Sequence, residues 1–329
     1  MKTITDCQSI LNSFGINATC VNIQSSGNYL FCDIKLHPYT RVNDIKKYSD
    51  EISLVLKTSK PNLKILHQEG VVRLEFVQSI SNRLNLFDYF TNKRLPKGEI
   101  NILLGQSVDG KRMWMDLSQN PHLLIAGSTG SGKTTVLHNV IANLYNYNHV
   151  DLFLIDPKKV EFSEYEKCHN STVLYSYKES LDLLKNKLKL MEDRYESLRN
   201  GESRLNLKPN VIIIDEFADL VMQDKDNHLF DIICRLTQKC RAARIHFILA
   251  TQRPSVNILN GALKANFPAR IACRVASHTD SKVILDTKGA ENLIGKGDAI
   301  IRDNFRYLER FQVAYTTPQE VCNYFSLVS

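Results

Sequence analysis

The chain has 329 residues, 43% of them apolar and 23% charged, which excludes a disordered or fibrous protein and leaves room for one large domain or two smaller ones. A formal net charge of +7 is compatible with an anionic partner such as nucleic acid without pointing to one. No apolar run of about 18 residues occurs, and the opening MKTITDCQSI has neither the basic nor the apolar region of a signal; the expectation is a cytoplasmic chain not itself inserted in a membrane.

Residues 3–14 read as a short helix ended by Gly15, followed by strands at 19–24 and 29–36 joined by the turn Ser-Ser-Gly-Asn. An amphipathic helical stretch spans Val42 to Lys57, with Ile45, Tyr48, Ile52, Val55 and Leu56 near helical spacing. Two more strands, 63–67 and 71–77, meet around Glu69-Gly70. This N-terminal part reads as a small α+β domain, residues 1–95, without a catalytic constellation. The polar, turn-rich segment 91–98 places the domain boundary near residue 95.

Beyond it, over 96–329, apolar runs alternate with helix-like segments: HLLIAG, VDLFLID, NVIIID, RIHFILA and ARIACRV. That pattern predicts an α/β domain with a buried, mostly parallel sheet covered on both faces. The eight cysteines form no C-x-x-C pair and read as free thiols, several of them inside apolar runs; the nine histidines show no zinc spacing.

The segment Gly127-Ser128-Thr129-Gly130-Ser131-Gly132-Lys133-Thr134 lies between the strand HLLIA and the helix-like TTVLHNVIANLY, which begins at Thr134-Thr135. Glycines let successive backbone N–H groups turn toward phosphate oxygens, and the helix start adds positive potential. A chance match in a chain of this length is on the order of one in a hundred. The expected cofactors are ATP and Mg2+, with Lys133 on the β- and γ-phosphates and Thr134 on the metal.

Asn210-Val-Ile-Ile-Ile-Asp215-Glu216 places two acids at the end of a central strand. Asp215 is the expected metal partner and Glu216 the expected catalytic base, with a simple helix cap as the other reading. Gln252, after IHFILA, is placed to sense the γ-phosphate or the attacking water, or is a solvated loop amide. Asp156, before Pro157-Lys158, has an open role. Arg235, Lys239, Arg241 and Arg244 fall on one expected helix; they form either a solvated charged face or the source of an arginine given to a neighbouring subunit, worth roughly 10³–10⁵-fold in rate.

From about Ile102 to Ile300 the chain resembles the motor domain of the FtsK/SpoIIIE family of hexameric double-stranded DNA translocases. The resemblance is carried by PHLLIAGSTGSGKT (121–134), LIDPKKVEFSEYE (154–166), IIIDEFADLVM (212–222), RLTQKCRAARIHFILATQRPSV (235–256), LKANFPARIACRVAS (263–277) and DSKVILDTKGAENLIGKGDA (280–299). It implies a RecA-like P-loop NTPase fold preceded by the small α+β domain, and a homo-oligomer, a hexamer, that hydrolyses ATP at subunit interfaces to move duplex DNA. It supports Lys133, Thr134, Asp215 and Glu216 in the roles above and makes Arg241 the arginine finger. It also puts Arg253, Lys264 and the 277–282 segment with Lys282 on loops facing a DNA channel, where cations would hold phosphates without reading sequence.

Three positions depart from the family's pattern. Arg244 stands where Gly is usual, which bears on the choice of finger. Lys282 stands for Arg and loses the planar two-pronged grip. His278 stands where Lys is common, which weakens a DNA contact near neutral pH. Neither the family's membrane-spanning region nor its C-terminal winged-helix module is expected in this chain, and anchoring or polarity is expected to come from a membrane or DNA-loading partner. Two other classes compete with the translocase: a related ATPase coupled to protein secretion, and a non-hydrolysing DNA-binding scaffold.

Overall fold

The computed structural model describes residues 4–26, 29–58, 61–67, 69–77, 84–90, 98–147, 149–304 and 307–328. The chain forms two compact units: residues 1–83 with 106–111 and 292–294, and residues 84–105, 112–291 and 295–329. The boundary expected near residue 95, and part of the turn at 25–28, lie outside the described residues.

The smaller unit runs α1 (Ile4–Ser13), β1 (Ala18–Ser26), β2 (Tyr29–Leu36), α2 (Val42–Lys47), α3 (Ser49–Val55), β3 (Asn62–Leu66) and β4 (Val71–Val77). Its four strands pair antiparallel in the order β1-β2-β4-β3. Gly15 at φ +66 and Gly70 at φ +67 make the left-handed turns that end α1 and join β3 to β4, where a side chain would be strained. The single helical stretch expected over 42–57 is instead two helices. Tyr48, at φ −102 and ψ 14, breaks the ladder between them, while Ile45, Ile52 and Leu56 remain buried in one core with Leu30, Ile34 and Leu74.

The larger unit continues with α4 (Phe87–Phe90), β5 (Asn101–Ser107), β6 (Arg112–Asp116), β7 (His122–Ala126), α5 (Lys133–Tyr145), β8 (Asp151–Ile155), β9 (Ser171–Leu174), α6 (Tyr177–Arg199) and β10 (Asn210–Ile214). It ends with α7 (Phe217–Gln223), α8 (His228–Lys239), β11 (Ile245–Thr251), α9 (Gly261–Asn266), β12 (Ala269–Cys273), α10 (His278–Leu285), β13 (Asp298–Arg302), β14 (Leu308–Val313) and α11 (Pro318–Val328). The ten-stranded sheet has the order β6-β5-β14-β13-β12-β7-β11-β10-β8-β9.

From β12 to β9 neighbouring strands are parallel; β12–β13 and β13–β14 are antiparallel. The five apolar runs became β7, β8, β10, β11 and β12, and every residue of β7, β10, β11 and β12 is buried. Such all-buried strands need cover on both faces, which is why they read as unbroken apolar runs. Helix α5 is enclosed in the same way, with Val136, Leu137, Val140, Ile141 and Leu144 in the core. At about 25 cal/mol per Å² of apolar surface removed from water, helix burial of this kind rather than helix propensity keeps α5 in place.

Candidate nucleotide site

Strand β11 lies between β7, which carries the glycine-rich loop, and β10, which carries the acidic pair. All three are parallel, so Gly127, Asp215 and Gln252 leave the sheet at the same edge. Ligands of open parallel sheets bind at that edge.

The loop needs its glycines for space as much as for conformation. A Cβ on Gly127 would sit 2.6 Å from Cys273 Cβ, and one on Gly132 would sit 2.2 Å from the Gly297 nitrogen. Gly130 at φ +73 and Gly132 at φ +105 take left-handed backbone angles, and Gly132 is the N-cap of α5. Ser128 N–H donates to Arg274 O at 2.9 Å and Ser131 N–H to Ser128 O at 3.1 Å, which fixes the loop's curl. Thr129 and Gly130 at its tip are exposed, while Thr134 and Thr135 open the helix half-buried.

Lys133 is buried, and its Nζ donates to Asp215 Oδ1 at 2.6 Å and to Asp215 O at 2.7 Å. The other carboxylate oxygen, Asp215 Oδ2, is buried without a hydrogen-bond partner among the described residues. A buried, unpaired carboxylate oxygen is costly unless a cation or donor meets it. The Thr134 hydroxyl donates to Glu161 Oε1 at 3.3 Å. Burial, and then the charge of Asp215, pushes the Glu161 carboxyl above the usual range. A narrow glycine cradle at a helix start, an ammonium and an orphaned carboxylate oxygen fit a nucleotide phosphate chain with a divalent cation.

Glu216 is almost wholly buried and held from β11: the Thr251 hydroxyl donates to its Oε1 at 2.7 Å, and Gln252 N–H lies 3.1 Å from both carboxylate oxygens. Lys158 Nζ is 3.5 Å from Glu216 Oε2 and 3.6 Å from Asp219 Oδ2. Burial lowers the Lys158 pKa, but Glu216 and then Asp219 outweigh it and the net shift is upward. Gln252 reaches the loop: Thr129 Oγ1 donates to its Oε1 at 2.8 Å. Asp156, left open by the sequence, is buried, and its Oδ2 accepts from the N–H groups of Glu161 at 2.9 Å and Phe162 at 3.0 Å.

The basic segment departs from its expectation. Helix α8 ends at Lys239, with Cys240 as its C-cap, so Arg235 and Lys239 are on the helix while Arg241 and Arg244 lie in the turn into β11. Arg244 takes φ +54, a left-handed angle, and Ile245 N–H reaches back to Cys240 O at 3.2 Å to close the turn. That angle is the reason a glycine suits the position. The Arg244 side chain is buried: Nη1 donates to Leu205 O and Leu207 O, both at 3.0 Å, and Nη2 lies 3.2 Å from Glu99 Oε2. Arg241 is exposed and lines a cleft of about 320 Å³ with Glu99, Ser118, Gln119, Arg204 and Ala242.

Of the residues expected to face DNA, Arg253 is exposed beyond the end of β11, with Nη1 3.5 Å from Met222 Sδ, and Lys282 is exposed on α10. Lys264 is half-buried and paired with Asp286 Oδ1 at 2.9 Å. Arg270 and Arg302 pair with the same aspartate, and despite partial burial these partners pull its pKa well below the usual carboxylate range. His278 is exposed at the start of α10, behind a capping box made by Ser277 and Asp280.

Sequence reasoning passed over Glu161 and Thr251. Glu161 sits inside the block LIDPKKVEFSEYE and Thr251 directly precedes Gln252, but nothing local marks either side chain as facing the site. Among the described residues no helix is long and apolar enough to cross a membrane.

A family model described as FtsK/SpoIIIE matches residues 90–205 and 201–256. DNA translocase FtsK of Chlamydia pneumoniae is 35% identical over 327 residues, covering 88% of this chain and 40% of that protein. DNA translocase SftA of Bacillus subtilis is 33% identical over 317 residues, covering 89% of this chain and 33% of its own length. The chain thus spans well under half the length of these curated relatives. Among solved structures, the conjugation coupling protein TcpA of pCW3, in a monomer form with ATPγS, superposes with a TM-score of 0.68 at 20% identity, covering 98% of this chain and 99% of that one. The cytoplasmic domain of the type VII secretion ATPase EccC of Thermomonospora curvata gives 0.62 at 23% identity, covering 71% and 32%. These two likenesses show the shared P-loop ATPase fold.

Proposed function

Since this chain belongs to the FtsK/SpoIIIE family, we propose that it is a ring-forming, magnesium-dependent ATPase that moves along double-stranded DNA. The proposed motor is residues 96–329 and the proposed small α+β domain residues 1–95, although 84–90 already cluster with the larger unit and 106–111 and 292–294 with the smaller one. Gly127–Thr135 would cradle the phosphates. Lys133 would move from Asp215 onto the β- and γ-phosphates, which frees that aspartate for the metal beside Thr134. Bound magnesium would supply charge neutralisation at the phosphates. Glu216, aimed by Thr251 and the Gln252 N–H, would take the proton of the attacking water, and Gln252 would register the γ-phosphate through its link to Thr129.

One observation carries the oligomeric part. Arg241 precedes β11, whereas the acidic pair, Gln252 and the glycine loop stand beyond the other ends of the strands. Seven residues of β11 at about 3.3 Å each separate the two edges by roughly 20 Å. Arg241 cannot reach its own chain's phosphates, so as a finger it acts on a neighbour's. With Arg244 bound to Leu205, Leu207 and Glu99, Arg241 is the exposed member of the pair. Arg253, Lys264 and Lys282 are proposed as phosphate contacts, with Lys264 leaving Asp286 to make its own.

Linear duplex should stimulate ATP hydrolysis many-fold, and the stimulation should fall steeply with salt as counterion release weakens binding. A rate unchanged by duplex at low salt would turn the reading toward an ATPase coupled to protein secretion. Glu216→Gln should retain ATP binding and stop turnover. Mixing Arg241→Ala with Lys133→Ala chains should recover part of the activity, and no recovery at any ratio would remove the shared site.

A further inference from the structure

Thr134 is the second residue of α5, and its hydroxyl points its hydrogen at Glu161 Oε1 across 3.3 Å. Glu161 is not a loose surface acid. Its own N–H and that of Phe162 both donate to Asp156 Oδ2, at 2.9 and 3.0 Å. Asp156 is wholly buried at the end of β8, and the Phe162 ring is locked in the core with Tyr165. A turn anchored on both sides therefore delivers this carboxylate to the helix start. The opposite carboxylate partner of the site, Asp215, keeps one buried oxygen unpaired among the described residues.

A hydroxyl has one hydrogen and two lone pairs, so where the hydrogen goes decides where the lone pairs point. As a metal ligand, Thr134 must offer a lone pair. Groups that hold such a ligand from outside set its orientation, and losing one costs about 10–100-fold in metal affinity. Resting on the nucleotide-site reading above, we propose that Glu161 is a positioning residue for the divalent cation that accompanies the nucleotide. It accepts the hydrogen bond of the Thr134 hydroxyl and so leaves that oxygen's lone pairs for the cation. Asp156 in turn acts through its Oδ2, which holds the turn that presents Glu161.

The test follows binding of a fluorescent, non-hydrolysable ATP analogue to the full chain, in EDTA and across a Mg2+ titration. The unaltered chain should gain affinity as Mg2+ rises. Glu161→Ala should bind metal-free nucleotide within about twofold of it, while the Mg2+ concentration giving half of the gain rises about tenfold; Glu161→Gln, whose amide oxygen still accepts a hydrogen bond but carries no charge, should show a smaller rise. Unchanged half-saturation in both variants overturns the inference and leaves the nucleotide site standing. Loss of metal-free binding in both also overturns it, since Glu161 would then support the loop itself. If only the alanine variant loses metal-free binding, the glutamine variant, with the same side-chain length, decides. An unaltered chain whose nucleotide affinity ignores Mg2+ sinks the site reading instead.

Discussion

Arg244 allows backbone strain and side-chain bonding to be measured separately at one position. Replacing it by alanine removes two hydrogen bonds to carbonyls at 3.0 Å and the 3.2 Å contact with Glu99, yet keeps a side chain at φ +54. Hydrogen bonds from a charged group contribute about 1.5–3 kcal/mol each, and recovery of arginine hydration offsets part of that, so the loss should be about 2–4 kcal/mol. Glycine removes the same bonds but relieves a left-handed penalty of about 1–2 kcal/mol, less the extra freedom it adds to the unfolded chain. Arg244→Gly should therefore be more stable than Arg244→Ala by about 1 kcal/mol, with both below the unaltered chain. Trp114, the one tryptophan of the sequence, packs against the core of the larger unit and reports its urea unfolding by fluorescence. An alanine variant as stable as the glycine variant would refute the strain argument. In the DNA-stimulated ATPase assay Arg244→Gly should stay within about fivefold of the unaltered chain, while Arg241→Ala falls by about 10³ or more. Equal losses would refute the choice of Arg241.

Thr251→Val keeps the side chain's shape but removes the donor at 2.7 Å from Glu216, so kcat should fall about tenfold with nucleotide affinity unchanged, and Thr251→Ser should restore it. Burial lowers His122 to about 3, and burial with the nearby Lys133 lowers His138 to about 4; His246 is also lowered to about 4, chiefly by burial. Their unfolded values are about 6.5, so the unfolded chain takes up protons that the folded one refuses. Stability should be full above about pH 6.5 and decline as pH falls toward 4, by about 4 kcal/mol for these groups together at pH 5.5. A melting temperature that does not move between pH 7 and 5.5 would contradict this. Cys168 Sγ and Cys322 Sγ lie 2.6 Å apart, so excess glutathione disulfide should join them with release of two glutathione thiols. Peptide mapping should find that link, and Cys168→Ser should abolish it.

The glycine loop was legible because its requirement is local: left-handed angles at Gly130 and Gly132 belong to a few consecutive residues. The buried strands were legible for a related reason, since a strand covered on both faces must be apolar throughout. The strands β5, β6, β9, β13 and β14 carried less of that signal. β6, for example, is exposed or half-buried along most of its length and reads as mixed. The helix expected over 42–57 split at Tyr48 because periodicity marks a buried face, not an unbroken ladder.

By itself the sequence determined the phosphate loop, the acidic pair and the order of the blocks around them, because each depends on neighbours within a turn or a strand. Only the tertiary structure decided that Arg244 is buried and Arg241 exposed, that Lys264 pairs with Asp286, and that Glu161 and Thr251 stand beside Thr134 and Glu216. Those contacts join residues 22 to 145 positions apart, from Lys264–Asp286 to Glu99–Arg244. Strand order creates them: β11 is inserted between β7 and β10, and the turn after β8 is folded back over the start of α5. Local patterning records whether a side chain is buried, whereas packing across the sheet sets what it meets there.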